Sequence, residues 1–222
     1  MSELLTIAID GPASSGKSTI AQRVAERLEI AYADTGAMYR AITYLLIKNN
    51  LLLDDEAAIQ ALLDRVQLSF VRQGNQQALK INDQVVSEEL RSNEVTSLVS
   101  KVAALSVVRE KLTHLQQEMA KQQSIVMDGR DIGTQVLPNA SFKLFFVADV
   151  DVRAQRRYKE NQAANRKQSY EDLRQEIIDR DHYDMHREIS PLKKASDAIE
   201  IDTSYLSIEE VVQEVLKVVH PI

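Results

Sequence analysis

The 222-residue sequence contains no cysteine. That excludes a disulfide framework and any thiolate metal site, and it is compatible with a reducing cytoplasm. Long apolar runs are also missing: none approaches the roughly 18 residues that a membrane-crossing helix needs. Residues 1–9 lack a basic start followed by an apolar run and a cleavage site, so they read as a strand rather than a signal peptide. The expectation is a soluble, cytoplasmic, monomeric protein with no membrane partner. Excess positive charge is missing too, with 27 Lys and Arg against 33 Asp and Glu for a net charge of −6. Proteins that live on nucleic acid usually carry a basic balance, so no nucleic-acid partner is expected. A local arginine cluster can still create a positive cleft on an acidic chain. Internal repeats, low-complexity tracts and Pro/Gly/Ser linkers are absent, which argues for one α/β unit.

What is present alternates. Residues 4–10 (LLTIAID) form a short apolar run ending at Gly11-Pro12, the pattern of a buried central strand. Residues 17–28 carry apolar positions at helical spacing, residues 31–34 fit a second strand, and a helix opens at Thr35 and Gly36. Asp54 is the expected cap of a helix containing Ile59, Leu62 and Leu63. Residues 66–86 change to strand-like alternation around the turn signal Gly74-Asn75, which reads as an inserted antiparallel hairpin or meander. Helix follows over 88–123 in two or three pieces, then strands at 124–127 and 142–147. Two polar helices fit 149–165 and 169–188, and a last strand and amphipathic helix fit 198–201 and 207–219. Strands alternating with helices predict a parallel β-sheet core flanked by helices. On this reading the core covers about 1–34, 92–150 and 190–222. An enlarged region covers 35–91, with its β insert at 64–90, and a short helical lid covers 151–189.

Residues 11–18, Gly-Pro-Ala-Ser-Ser-Gly-Lys-Ser, match G-x-x-x-x-G-K-[ST] between a strand and a helix. Small residues let the backbone wrap close, so that its amides cradle the phosphates of a nucleotide. The helix starting near Lys17 adds its positive end. Lys17 would lie on the β and γ phosphates and Ser18 would offer its hydroxyl to Mg²⁺. The Asn-Lys-x-Asp segment with which GTPases read guanine is absent, so the chain points to ATP-dependent transfer onto a second, phosphorylated small molecule.

The acceptor side is sought at the ends of the other strands, where ligands bind in open α/β sheets. After the second strand, Thr35 and Gly36 can supply a cap and N–H donors, and Arg40 lies about one turn on. After the strand at 124–127, Arg130 can clamp phosphate bidentately. Asp131 can accept from an amino-bearing base, and Asp128 can help hold Mg²⁺ through water. Arg180, Asp184 and Arg187 sit at i, i+4 and i+7 on one helix face. Arg153, Arg156 and Arg157 cluster on the preceding helix, as lid arginines do that close over a transferring phosphoryl group. Two readings of Tyr39 stand open, stacking on a base or filling the core. His182 and His186 are at i, i+4, but no Glu occupies the base position of H-E-x-x-H, and a metal reading is set aside. A shikimate-like kinase of a small hydroxyl substrate, with Asp34 as base or orienter of the hydroxyl, is the alternative.

Taken in order, GPASSGKST, DTGAMYRA, SKVAALSVVRE, DGRDIGT and RDHYDMHREISPL resemble the successive signatures of the bacterial cytidylate kinase family over essentially the whole chain. The resemblance implies a phosphate-loop nucleoside monophosphate kinase that phosphorylates CMP and dCMP with ATP and Mg²⁺. It implies an ATP site at Gly11, Pro12, Ala13, Ser14, Ser15, Gly16, Lys17, Ser18 and Thr19, with Arg156 over the phosphates. Arg40 and Arg130 would hold the CMP phosphate, with Thr35 keeping the hydroxyl that Ser supplies in some members. Ser100, Arg109 and Asp131 would read the cytosine edge. Arg180 and Asp184 would bind the ribose, with Arg187 near the base or phosphate. Lys17, Arg130, Arg156 and Arg187 would be the catalytic set. One departure stands out: Ala13 occupies a position where members with a GPSGAGKGT-type loop carry Ser.

Overall fold

The structure, a computed structural model, describes residues 4–73, 76–164 and 166–219. The Gly74-Asn75 turn signal lies outside them. Within β1 (Thr6–Asp10), β-branched residues alternate with small ones, and Ile7, Ala8, Ile9 and Asp10 are all buried. Such a strand suits the centre of a sheet covered on both faces. The order is β2-β6-β1-β7-β8, where β2 is Ala31–Asp34, β6 Ile125–Gly129, β7 Phe142–Val147 and β8 Ile199–Asp202. The β1–β6, β1–β7 and β7–β8 pairings are parallel. Their registers set Asp10 beside Gly129 and Phe145, and Val147 beside Asp202. The loops that follow β1, β6, β7 and β8 therefore all leave one edge of the sheet.

The chain divides into two compact units, residues 1–32 with 119–222, and residues 33–118. In the first, Ile7, Ile9, Leu144 and Phe146 pack against Ile20 and Val24 of α1 (Lys17–Leu28) and Val211, Val212 and Val215 of α8 (Ile208–Val219). Removing these side chains from water supplies roughly 1.5–3 kcal/mol each. Successive strand side chains alternate between faces. With Ile7 and Ile9 in this core, Asp10 points to the other face. Helices α6 (Val150–Ala163) and α7 (Tyr170–His186) pack through Ala154, Leu173 and Ile177.

The second unit holds α2 (Thr35–Lys48), α3 (Glu56–Leu63), α4 (Asn93–Val102) and most of α5 (Ser106–Gln122). It also holds an antiparallel meander of β3 (Leu68–Gln73), β4 (Gln76–Ile81) and β5 (Gln84–Val86), so of the two readings of residues 66–86, hairpin or meander, the structure has the meander.

Four local expectations are corrected. Asp55, not Asp54, caps α3, its carboxylate accepting from Ala58 N at 2.9 Å. Asp55 N–H closes a turn onto Leu52 O, which swings its side chain over the first helical turn. Asp34 rather than Thr35 caps α2. The strand expected to stop at residue 127 runs through Asp128 and Gly129, because β1 continues to pair with both. Arg187 lies outside α7, at its extended C-cap, because Leu192 N–H turns back onto Asp184 O and ends the ladder. A π-helical turn, Ile132–Val136, had no counterpart in the sequence reading.

Candidate active site

The loop between β1 and α1 is built by residues that tolerate unusual backbone. Gly11 has φ 151, and a Cβ there would lie 2.3 Å from Phe146 O on the neighbouring strand. Gly16 has φ 89 and is the N-cap of α1, while Ser14 takes φ 58. Lys17 folds over this loop: its Nζ donates to Pro12 O at 2.6 Å and to Ser15 Oγ at 3.3 Å. Burial, then the charge of Arg130, pulls the Lys17 pKa well down, against the opposing pull of Asp128 and Asp10. Anionic phosphates arriving here would favour its charged form.

Ser18 opens α1 and donates its hydroxyl to Asp128 Oδ2 at 2.7 Å, while Tyr32 Oη donates to Oδ1 at 2.8 Å. A hydroxyl and a carboxylate side by side are the oxygen donors a hard divalent cation takes, so these residues fit Mg²⁺. Asp10 lies at the root of the same edge and accepts from Ile132 N at 2.8 Å and Gly133 N at 2.7 Å. Burial pushes its carboxyl up to about 7 despite those two amides. The π turn after Asp131 is thus held from below by β1.

The residues around Asp184 form an arginine clamp. Arg130 Nε donates to Asp184 Oδ2 at 2.9 Å, and Arg180 Nε is 3.9 Å from the same oxygen. Arg187 Nη2 is 3.9 Å from Asp131 Oδ1, and Arg187 Nε donates to Ser190 O at 2.8 Å. Burial tends to raise the Asp184 pKa, but Arg130, Arg180 and Arg187 outweigh it and hold the carboxyl below its usual value. Both Arg130 and Arg180 contribute to the field at Lys17, which puts clamp and loop in one electrostatic neighbourhood. Arg156 reaches the loop after β8, donating to Thr203 O, Thr203 Oγ1 and Ser204 O. Thr203 Oγ1 in turn donates to Ser15 O at 3.0 Å. Lys17, Ser18, Asp128, Arg130, Asp131, Arg156, Arg180, Asp184 and Arg187 are therefore gathered around one sheet edge.

The other expected residues lie in the second unit. Asp34 Oδ1 accepts from Ala37 N at 2.8 Å, and Arg40 Nη2 donates to Asp34 Oδ2 at 2.9 Å. A Cβ on Gly36 would stand 3.0 Å from Arg40 Nη1, so glycine keeps room for that guanidinium. Arg40 Nε is buried and has no hydrogen-bond partner among the described residues. Tyr39 is buried, which favours its core reading, with the Arg109 guanidinium 5.5 Å from its ring centroid. Arg109 Nη1 donates to Ala103 O at 3.1 Å. Thr35 is buried at the start of α2, and Ser100 is half-buried near the end of α4. His182 and His186 stack at 4.1 Å on exposed positions.

Sequence reasoning missed Asp10, Tyr32, Thr203 and the partner of Arg153. The available signal was position alone: Asp10 ends a strand, Thr203 directly follows one, and Tyr32 lies within one.

A parallel sheet carrying this loop and an arginine clamp at its carboxyl edge defines a phosphate-loop kinase. Among solved structures, shikimate kinase from Bacteroides thetaiotaomicron is similar in fold, with a TM-score of 0.53 at 12% identity, over 99% of this chain and 100% of that one. An uncharacterized protein from Eubacterium ventriosum is similar with a TM-score of 0.54 at 13% identity, over 98% of each. At such identities the likeness concerns the fold alone. The family model for cytidylate kinase matches residues 7–221. Cytidylate kinase from Streptococcus pneumoniae serotype 19F is 53% identical over 212 residues, 95% of each chain. That from Ligilactobacillus salivarius is 51% identical over 219 residues, 99% of this chain and 98% of its own. The chain belongs to the cytidylate kinase family.

Proposed function

We propose that the protein transfers the γ-phosphoryl group of ATP to the phosphate of CMP and dCMP, giving CDP and dCDP. The observation that carries this reading is the clamp of Arg130, Arg180 and Arg187 around Asp184 and Asp131, in the field of Lys17. A nucleotide acceptor brings a second phosphate and calls for several cations beyond the donor's cradle, whereas shikimate brings a single carboxylate charge. The 12% likeness to shikimate kinase carries fold only and gives the alcohol-kinase alternative no support.

The chemistry follows from charge. A phosphomonoester has its second pKa near ~6, so the attacking oxygen is largely ionised at neutral pH and needs no strong base. The barrier is repulsion between two anions and the alignment of attacking oxygen, phosphorus and leaving oxygen. Lys17 and the loop amides would hold the donor, and Arg130 with Arg40 the acceptor phosphate. Arg156 and Arg187 would offset charge on the transferring group. Asp184 is suited to ribose hydroxyls, because an ionised carboxylate accepts only. Asp131, Arg109 and Ser100 would read the cytosine edge. Mg²⁺ held by Ser18 and Asp128 would neutralise charge on the donor phosphates. Steady-state kinetics with ATP and Mg²⁺ on CMP, dCMP, UMP, AMP and shikimate test the assignment. The expected order has CMP and dCMP at the top by kcat/KM, and a preference for shikimate or AMP overturns it.

A further inference from the structure

Arg153 has no part in the scheme above, yet it is among the most enclosed cations of the chain, with its side chain 7% exposed. Its Nε donates to Ala148 O at 3.0 Å, which anchors it at the foot of α6. Its Nη1 does two things at once. It donates to Ala13 O in the phosphate loop at 3.1 Å, and it stands 2.6 Å from Asp181 Oδ2 on α7. Asp181 Oδ1 is buried with no hydrogen-bond partner among the described residues, so Oδ2, which faces Arg153, carries the carboxylate's ion pair.

The consequence lies in the peptide that follows Ala13. In a trans peptide the carbonyl and the next N–H point in opposite directions. Holding Ala13 O outward on Arg153 therefore turns Ser14 N–H the other way, toward the inside of the loop. Ser14 has φ 58, a conformation that a non-glycine residue adopts at a cost and keeps only when its surroundings impose it. A guanidinium fixed at both ends is such a constraint. Asp181 is adjacent in sequence to Arg180 and three residues before Asp184, so the helix that holds Arg153 is also the one that presents the clamp.

We propose that Arg153 and Asp181 are a positioning pair: Asp181 fixes Arg153, Arg153 fixes the Ala13–Ser14 peptide, and this sets a loop amide for the donor phosphates. Neither side chain touches nucleotide. The inference rests on the loop being the donor site and not on which acceptor is used.

Binding of the β,γ-imido analogue of ATP with Mg²⁺, measured by calorimetry without acceptor, tests it. Asp181→Asn leaves the Arg153 charge in place and removes only what holds it, and about tenfold weaker analogue binding is expected. Unchanged or tighter binding would overturn the proposal, because a freed Arg153 that bound phosphate directly would gain. Breaking one half of a buried ion pair can destabilise a fold, whereas replacing both halves by apolar groups is often neutral. The double variant Arg153→Met with Asp181→Leu is therefore expected to melt near the wild-type temperature and still bind the analogue about tenfold more weakly. Recovery of wild-type affinity in that variant would show the pair to be structural only and would sink the idea. Should the double variant not fold, the Asp181→Asn affinity decides alone. If wild-type enzyme bound the analogue but did not phosphorylate CMP, the acceptor assignment would fall and this proposal would stand.

Discussion

The donor loop and the arginine clamp stand at the same sheet edge but are made in different ways. The loop is made of backbone. The groups proposed to hold the donor are amides within residues 11–18, where Gly11, Ser14 and Gly16 take positive φ. The clamp is made of side chains that meet across the chain: Arg130 and Asp184 are 54 positions apart. A backbone device tolerates little change at its bending points. A side-chain device is expected to survive as a fold when one member is lost, while losing the activity proposed for it.

The largest effect that would break this contrast concerns Gly11. A methyl group there meets Phe146 O at 2.3 Å, and that oxygen belongs to a strand that cannot retreat. Gly11→Ala should cost about 3 kcal/mol or more of stability, read from the urea midpoint. A variant as stable as wild type would show that the loop is not held against β7. Arg130→Ala should do the reverse. Asp184 keeps Arg180 and Arg187 nearby, so the melting temperature should fall little. kcat/KM for CMP should fall by about 100- to 1000-fold, the loss typical of a donor placed against developing charge. Wild-type turnover would remove Arg130 from the clamp.

The same contrast explains what was legible in the sequence. G-x-x-x-x-G-K-[ST] is contiguous, so strand, loop and helix could be placed from eight residues and their flanks. The alternation of apolar strands and amphipathic helices pointed to the parallel sheet, and the pattern of residues 66–86 to an antiparallel hairpin or meander. Side-chain pairing has no local signature. Arg130, Arg180 and Asp184 could be nominated, but their common ion pair could not be read from spacing. Arg153 looked like one of three lid arginines, and only the fold separates its buried contact with Ala13 from the exposed Arg157–Glu160 pair. Asp10 was hidden as the last residue of an apolar strand, because its amide partners are more than 120 residues away.

Asp10 sharpens the comparison through pH. Its carboxyl is raised from 3.8 to about 7 by burial. A carboxyl raised on folding binds its proton more tightly in the folded state. Its contribution is complete below pH 3.8 and is lost as pH climbs through 7. Asp184 has the opposite sign: its pKa is depressed, so its contribution is present at neutral pH and lost on acidification. Between pH 5 and 7 wild type should lose on the order of 2 kcal/mol relative to Asp10→Asn, whose amide does not titrate. The measurement is the pH dependence of the difference in unfolding free energy between the two proteins. A difference that stays flat over that window would mean that Asp10 remains ionised, held by Ile132 and Gly133.

The smallest effect lies in the second unit and tests the opposite case, a buried polar group that is not matched. Gln116 on α5 is fully buried. Its Nε2 has only Met38 Sδ at 3.7 Å, and its Oε1 has no partner among the described residues. An orphaned buried acceptor costs about 1–3 kcal/mol, whereas an apolar side chain of similar shape carries no such penalty. Methionine has nearly the same length and flexibility and fills irregular core gaps. Gln116→Met should therefore raise stability by about 1 kcal/mol, visible as a higher melting temperature, and leave the KM for ATP unaltered. Destabilisation instead would mean that Oε1 is satisfied by an ordered water, and the buried amide would then be as fully matched as the ion pairs of the clamp.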